Sequence, residues 1–181
     1  GAWRLLTVQP FPEDGDPNTD DAVIAFHEFV PSTIAPYDPS ASGAVAAVAF
    51  REDEANSPDA ASGNAAGAAV HQNGAVYVAF TYLTGNNTNW ETHTHDWLLP
   101  SQFCRIGPDA TRLWDCSQRP DFSSAGSSFS VGFARWNSGN LTGYSITSGT
   151  DNWQVTIIPW TPLFADGFES GSLAAWSNWS P

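Results

Sequence analysis

Residues 70–82 constrain the fold of this 181-residue chain more than any other segment. Two runs rich in β-formers flank Asn73-Gly74, and Asn-Gly suits a type I′ turn, whose two central residues need positive φ. The segment therefore predicts a β-hairpin. Further short apolar runs, several of them with period-two alternation, occur at 22–30, 44–50, 129–136 and 153–158. Many short strands separated by turn signals are typical of β-sandwiches.

The pattern predicts the fold class and the division of the chain. No stretch has the caps and the 3.6-residue periodicity of a helix of normal length. We therefore expect an all-β protein, a jelly-roll-like antiparallel β-sandwich with extended terminal segments. Residues 22–160 would form the sandwich, residues 1–21 an N-terminal arm with an acidic loop, and residues 161–181 a C-terminal tail. The Ala/Gly/Ser-rich stretch 53–69 is expected to be a solvated loop.

The charge balance excludes two classes of partner. The chain has six arginines and no lysine against nineteen carboxylates, which gives a net charge of −13. Nucleic acids and anionic lipid surfaces both need basic patches, so we expect neither as a partner. We also expect no membrane insertion, because no apolar stretch is long enough to span a bilayer. The acidic balance does fit calcium binding.

Two cysteines, Cys104 and Cys116, flank a segment with the turn residues Gly107-Pro108-Asp109. A hairpin there would bring the sulfurs together, and two free thiols are the alternative. A disulfide implies an oxidising compartment. We therefore expect an extracellular or cell-surface protein whose signal peptide has been removed.

An acidic segment near the N-terminus is a candidate calcium loop. Oxygen-bearing side chains recur there at almost every second position, as calcium coordination requires. The twelfth position is Ala25 instead of Glu, so the EF-hand pattern is incomplete and a solvated acidic turn is the alternative. The candidate ligands are Asp14, Asp16, Asn18, Asp20 and Asp21.

Catalytic signals are weak. Glu91, His93 and His95 share one face if their segment is a strand, but a zinc site needs a further converging ligand, so we favour a polar edge strand. No Gly-x-Ser-x-Gly elbow occurs. We expect no enzyme, although a carboxylate pair for glycoside hydrolysis remains an alternative, since the spacing of side chains in space is not visible in a sequence.

Nine tryptophans are the most unusual feature of the composition. The six in or beside predicted strands are expected to fill the core and its edges, with stacking on sugar rings as the alternative. They are Trp90, Trp97, Trp114, Trp136, Trp153 and Trp160.

The terminal segments also carry large apolar side chains, which favour burial. We expect one terminus to contact a neighbouring subunit, with packing on the chain's own sandwich as the alternative. The candidate assembly residues are Trp3, Leu5, Phe164, Phe168, Leu173, Trp176 and Trp179.

Two segments resemble parts of secreted bacterial proteins. Residues 129–135 and 144–157 resemble the closing strands of jelly-roll modules of the concanavalin or laminin-G-like group, and Asp166-Gly-Phe-Glu-Ser-Gly171 is similar to a segment often found beside such modules. The resemblance implies fold and secretion, but no activity. Glu52-Asp53-Glu54 departs from the Glu-x-Asp-x-x-Glu pattern of laminarinase-like hydrolases in that group.

These observations predict a non-enzymatic secreted structural protein. The leading hypothesis is a self-assembling filament or surface-layer subunit whose partners are copies of itself, held together through a terminal segment. The first alternative is a calcium-dependent carbohydrate-binding or adhesion module with glycan partners. The second alternative is a glycoside hydrolase.

Overall fold

The computed structural model describes residues 4–8, 22–28, 35–56, 64–84, 88–106, 114–138 and 146–161. A single turn of 3₁₀ helix lies at Pro100–Gln102. The other described elements are one short α-helix and the β-strands. These are β1 (Arg4–Val8), β2 (Ala22–Glu28), α1 (Pro39–Ser42), β3 (Val45–Asn56), β4 (Asn64–Gln72), β5 (Ala75–Thr84), β6 (Glu91–Leu98), β7 (Cys104–Ile106), β8 (Trp114–Asp115), β9 (Phe129–Ser138) and β10 (Ile146–Pro159).

The strands form two antiparallel sheets that pack as a sandwich. The four-stranded sheet has the order β1-β10-β3-β6, and the six-stranded sheet has the order β2-β9-β4-β5-β7-β8. This confirms the all-β class, and the architecture is compatible with a jelly-roll-like fold. Within the described ranges, no helix is long and apolar enough to cross a membrane.

The predicted hairpin is present. β4 and β5 pair from Gln72 and Ala75 outward, and the turn residues Asn73 and Gly74 have φ values of 53° and 73°. Both values are positive, as a type I′ turn requires.

One half of the sandwich interior is an apolar core. Phe129 and Phe133 of β9 form one cluster with Val70 of the neighbouring strand β4 and with Phe50 of β3 in the opposite sheet. Phe122 stacks on Phe129 with ring centroids 5.3 Å apart. Aromatic groups dominate this core because each one removes a large apolar area from water.

The prediction of a loop over 53–69 was wrong at both of its ends. Residues 53–56 extend β3, and residues 64–69 belong to β4, which lies between β9 and β5. A Cβ on Gly67 would overlap the Ala79 carbonyl oxygen at a β-bulge, so the small residues permit a close approach of the two strands. Tertiary packing outweighs the low strand propensity of alanine and glycine here. Residues 57–63 lie outside the described ranges.

The sandwich includes part of the segment predicted as an arm. β1 pairs with β10 of the same chain, from Arg4 opposite Thr150 to Val8 opposite Ile146. The acidic loop and residues 162–181 of the C-terminal tail lie outside the described residues.

The predicted disulfide is confirmed. Cys104 of β7 is bonded to Cys116, with an S–S distance of 2.02 Å. In the chain-entropy model, closing a loop of this size stabilises a fold by about 3 kcal/mol.

Candidate ligand-binding face

A buried polar cluster occupies the half of the interior that the apolar core does not fill. The inward-facing positions of β3 change from Phe50 to Glu52 and Glu54, and both carboxylates are buried. Arg135 of β9 reaches across from the opposite sheet and donates from Nη2 to Glu52 Oε2 at 2.8 Å and to Thr150 Oγ1 at 2.5 Å. A buried charge pair of this kind needs such hydrogen bonds to offset its desolvation.

Glu54 is the less well compensated carboxylate of this cluster. Its Oε1 lies 3.9 Å from Arg135 Nε, and its Oε2 lies 3.8 Å from His93 Nε2. Burial raises the pKa of Glu54 to about 7, Arg135 opposes that rise, and Glu52 adds to it. Burial also raises the pKa of Glu52, against the attraction of Arg135. One guanidinium serves two carboxyls, so the charges balance when Glu54 is protonated.

The position of this cluster decides what it can do chemically. A glycoside hydrolase needs its two carboxyl groups on either side of the scissile bond. Glu52 is 0% exposed and Glu54 is 3% exposed, so a sugar cannot reach between the two carboxyl groups. We therefore treat the cluster as a structural element that fixes the two sheets together.

The opposite side of the four-stranded sheet presents an ordered set of polar side chains to solvent. Outward-facing β3 residues alternate with the buried ones, and the register places them beside residues of β6 and β10. A groove of about 150 Å³ runs through this set, lined by Ala49, Phe50, Arg51, Thr94, Asp96, Gln154 and Thr156. We define the outer face as Ala49, Arg51, Asp53, Ala55, Thr92, Thr94, Asp96, Gln154 and Thr156.

Asp53 is a fixed hydrogen-bond acceptor on this outer face. Asn152 Nδ2 donates to its Oδ2 at 2.6 Å, and Thr92 Oγ1 donates to its Oδ1 at 2.5 Å. The bond from Asn152, followed by the bond from Thr92, holds the pKa of Asp53 below its usual range. The carboxylate is therefore ionised and oriented, and a carboxylate with two such bonds still has lone pairs for a ligand.

A β-bulge in β10 supplies the Asn152 amide. The register with β3 shifts between Asp151 and Gln154, and Asn152 has φ of 48°. The bulge sends Trp153 inward, where its ring centroid lies 5.9 Å from that of Phe133, while Asn152 turns to Asp53. Bulges commonly re-aim a side chain in this way, and asparagine tolerates the left-handed region.

The indole of Trp90 lies on the sheet at one end of the outer face. A Cβ built on Gly149 of β10 would lie 2.9 Å from Cη2 of Trp90, and Gly149 pairs with Ala55 of β3. The small residue beneath it lets the ring lie close to the backbone. Trp90 nevertheless remains 51% exposed.

Trp97 stands at the other end of β6, where the register with β3 shifts between Val48 and Phe50. Asp96 and Trp97 therefore both lie opposite Ala49 of the outer face. It is 55% exposed, and Trp160, just beyond β10, is 60% exposed. The prediction that the strand tryptophans fill the core was therefore wrong for Trp90, Trp97 and Trp160. It holds for Trp153, which packs against the core.

The other predicted site residues have these positions. Leu5 lies in β1 opposite Gly149, and His93 and His95 lie opposite Glu52 and Phe50 on an edge strand. In the part of the chain that the structure describes, no three His, Cys, Asp or Glu side chains are grouped to hold a metal ion. The remaining predicted residues, Asp14, Asp16, Asn18, Asp20, Asp21, Trp3, Phe164, Phe168, Leu173, Trp176 and Trp179, lie outside the described residues.

Sequence reasoning missed most of the outer face. Arg51, Asp53 and Asn152 carried no motif, because they meet only through strand pairing between distant parts of the chain. One local signal was available, since Gly149 and the Asp151-Asn152 pair interrupt a strand pattern and such residues often mark a bulge.

No protein-family model matches this chain, and no curated protein matches its sequence.

Proposed function

We propose that this chain is a non-enzymatic, extracellular carbohydrate-binding or adhesion module that holds its glycan on the outer face. The observation that supports it is the pair of half-exposed indoles, Trp90 and Trp97, at the two ends of a polar strand surface. Exposed indole faces stack on the C–H faces of sugar rings.

The polar centre of the face favours a glycan over an apolar protein partner. Asp53 is held in place as an acceptor, while Arg51 offers donors and Gln154 offers both donors and acceptors. Sugar hydroxyls need such paired donors and acceptors at fixed positions. An apolar partner would leave these groups desolvated without hydrogen bonds, which is costly.

Secretion and family are part of the same proposal. The Cys104–Cys116 disulfide supports an oxidising compartment. The sandwich fits the resemblance to concanavalin or laminin-G-like modules, and we propose that the Asp166–Gly171 segment is the accessory segment of such a protein. We further propose that calcium bound by residues 14–21 contributes to glycan binding.

A glycan array with tagged protein tests this function. We expect binding by the wild-type chain, and loss of that binding in the Trp90→Ala/Trp97→Ala double variant. Trp160→Ala is the matched control, because Trp160 has a similar exposed fraction but follows β10 and lies at neither end of β6. Repeating the array with a calcium chelator tests the metal separately. Failure of the wild-type chain to bind any glycan would refute the proposal.

Self-assembly is the second candidate, and the position of β1 supports it. In the described ranges, β1 pairs with β10 on one side and with nothing on the other. An edge strand is a template for a strand from a neighbouring copy, and head-to-tail contacts of that kind give open polymers. Electron microscopy of the full chain and of a chain lacking residues 164–181 tests this candidate. It predicts filaments for the first and none for the second.

The hydrolase alternative has no support from Glu52 and Glu54, because both are buried between the sheets. A reducing-sugar assay on the polysaccharides that bind in the array would detect activity from any other carboxylate pair.

A further inference from the structure

We infer that the ligand of the outer face is an internal stretch of an extended, uncharged polysaccharide that contacts Trp90 and Trp97 together. The inference rests on the proposed function and specifies the class of its ligand. It follows from the span between the two indoles, from the surface between them and from the charges on that surface.

The span sets the length of the ligand. Trp90 immediately precedes β6 and Trp97 is its penultimate residue. Seven residue steps along an extended strand cover roughly 20 Å. A mono- or disaccharide is shorter than that, so it can stack on one indole but cannot reach both. Only a longer chain gains from both contacts.

The surface between the indoles is suited to a chain that continues past both ends. Thr92, Thr94 and Asp96 of β6 are exposed, as are Gln154 and Thr156 of β10. The groove among them measures about 150 Å³, which is smaller than the roughly 300–1,000 Å³ of a typical pocket for a small molecule. It is a shallow depression on a sheet, and such a surface fits the side of a polymer better than a single buried end group.

The charge on the face sets the chemistry of the ligand. Asp53 and Asp96 lie on it, and Asp151 of β10 is the cross-strand partner of Asp53. Arg51 is the one cation of the defined outer face. The whole chain carries a net charge of −13. The negative charges of the face and of the whole chain would repel uronate or sulfate groups. Hydroxyl groups, in contrast, can donate to the oriented Asp53 carboxylate.

Calorimetric titration of the full chain with oligosaccharides of increasing length tests the inference. The neutral probes are β-linked gluco-, xylo- and manno-oligosaccharides of two, four, six and eight units, and the anionic probes are oligogalacturonates of the same lengths. We expect affinity for a neutral series to rise with length and then level off once the chain spans both indoles. We expect no measurable binding of the oligogalacturonates.

The single variants Trp90→Ala and Trp97→Ala provide the second readout. Each should lower affinity for the longest neutral ligand by about tenfold, in the range of lost aromatic stacking. Each should also make affinity nearly independent of length, while circular dichroism stays as in the wild type.

The outcomes distinguish failure of this inference from failure of the proposed carbohydrate-binding function. If a disaccharide binds as tightly as the eight-unit chain, or the oligogalacturonates bind as well as the neutral chains, the inference is overturned and carbohydrate binding stands. If no oligosaccharide binds and the array is also negative, both fall.

Discussion

The indole of Trp90 lies so close to the backbone of Gly149 that a Cβ there would be 2.9 Å from its Cη2 atom. The glycine thus gives the ring its place on the sheet, although it touches no ligand itself. We predict that Gly149→Val displaces the indole and lowers glycan affinity about tenfold, the effect expected for loss of one stacking contact. Calorimetry with a neutral eight-unit oligosaccharide measures it.

A double-mutant cycle tests whether Gly149 acts through Trp90. In the Trp90→Ala background, Gly149→Val should cause little further loss of affinity, because the ring that it displaces is already absent. Full additivity of the two losses would show that Gly149 does not act by positioning the indole.

Two variants at Asn152 should separate the effect on glycan affinity from the effect on stability. Asn152→Gly keeps a residue that accepts φ of 48° but removes the amide that donates to Asp53. We expect it to weaken glycan binding about tenfold, the value of one lost positioning hydrogen bond, with a melting temperature close to that of the wild type. Asn152→Ala should weaken binding equally and also cost about 1 kcal/mol of stability, since alanine resists the left-handed conformation. Equal melting temperatures for the two variants would contradict this account of the bulge.

Breaking the Arg135–Glu52 pair should strongly destabilise the fold. Arg135→Met leaves the Glu52 carboxylate buried without its partner, and breaking a buried pair in this way costs about 3 to 5 kcal/mol. Glu52→Gln in the same chain should recover part of that loss, because no uncompensated charge from Glu52 remains. The free energy of unfolding in urea measures both variants. A cost below about 1 kcal/mol for Arg135→Met would show that the pair does not fix the sheets together.

Because the pKa of Glu54 is raised in the fold, we predict that the protein becomes less stable as pH rises. That pKa is raised from 4.5 to about 7, so the folded state binds more protons than the unfolded state between those values. The free energy of unfolding should therefore fall by roughly 3 kcal/mol across this window and level off above it. Urea unfolding at a series of pH values measures the slope.

Two variants isolate the contribution of Glu54 to that slope. Glu54→Gln should flatten it. His93 also faces the cluster, and burial lowers the pKa of His93. The contribution of His93 to the free energy of unfolding therefore increases as pH rises, opposite to that of Glu54. His93→Asn should consequently steepen the fall. A slope that Glu54→Gln leaves unchanged would assign the effect to another group, and the nearest candidate is Glu52, whose pKa burial also raises.

The sequence predicted those parts of the fold that depend on local chemistry. Asn73-Gly74 identified the β4–β5 hairpin because its turn requires positive φ at both residues. The alternation around Phe129 and Phe133 identified β9, whose Phe129, Val131 and Phe133 pack together in the core cluster. The two cysteines were close enough in sequence for a turn to join them.

The remaining features depend on long-range packing. Arg135 and Glu52 are 83 positions apart, and only the pairing of the sheets brings them together. Residues 64–69 lack strand-forming side chains, yet they occupy a central strand because their small size suits a closely packed interior. Alternation also shows that two faces of a strand differ without showing what covers each face, so Trp90 and Trp97 could not be distinguished from core tryptophans such as Trp153.

The most direct test of the proposed carbohydrate-binding face is an NMR titration that follows the nine indole N–H resonances. The ligand is the eight-unit neutral oligosaccharide, and tryptophan-to-phenylalanine variants assign the resonances. We expect the Trp90 and Trp97 resonances to shift along one saturation curve while the Trp153 resonance stays in place. Ligand binding that leaves Trp90 and Trp97 unshifted, or no shift at any ligand concentration, would contradict it.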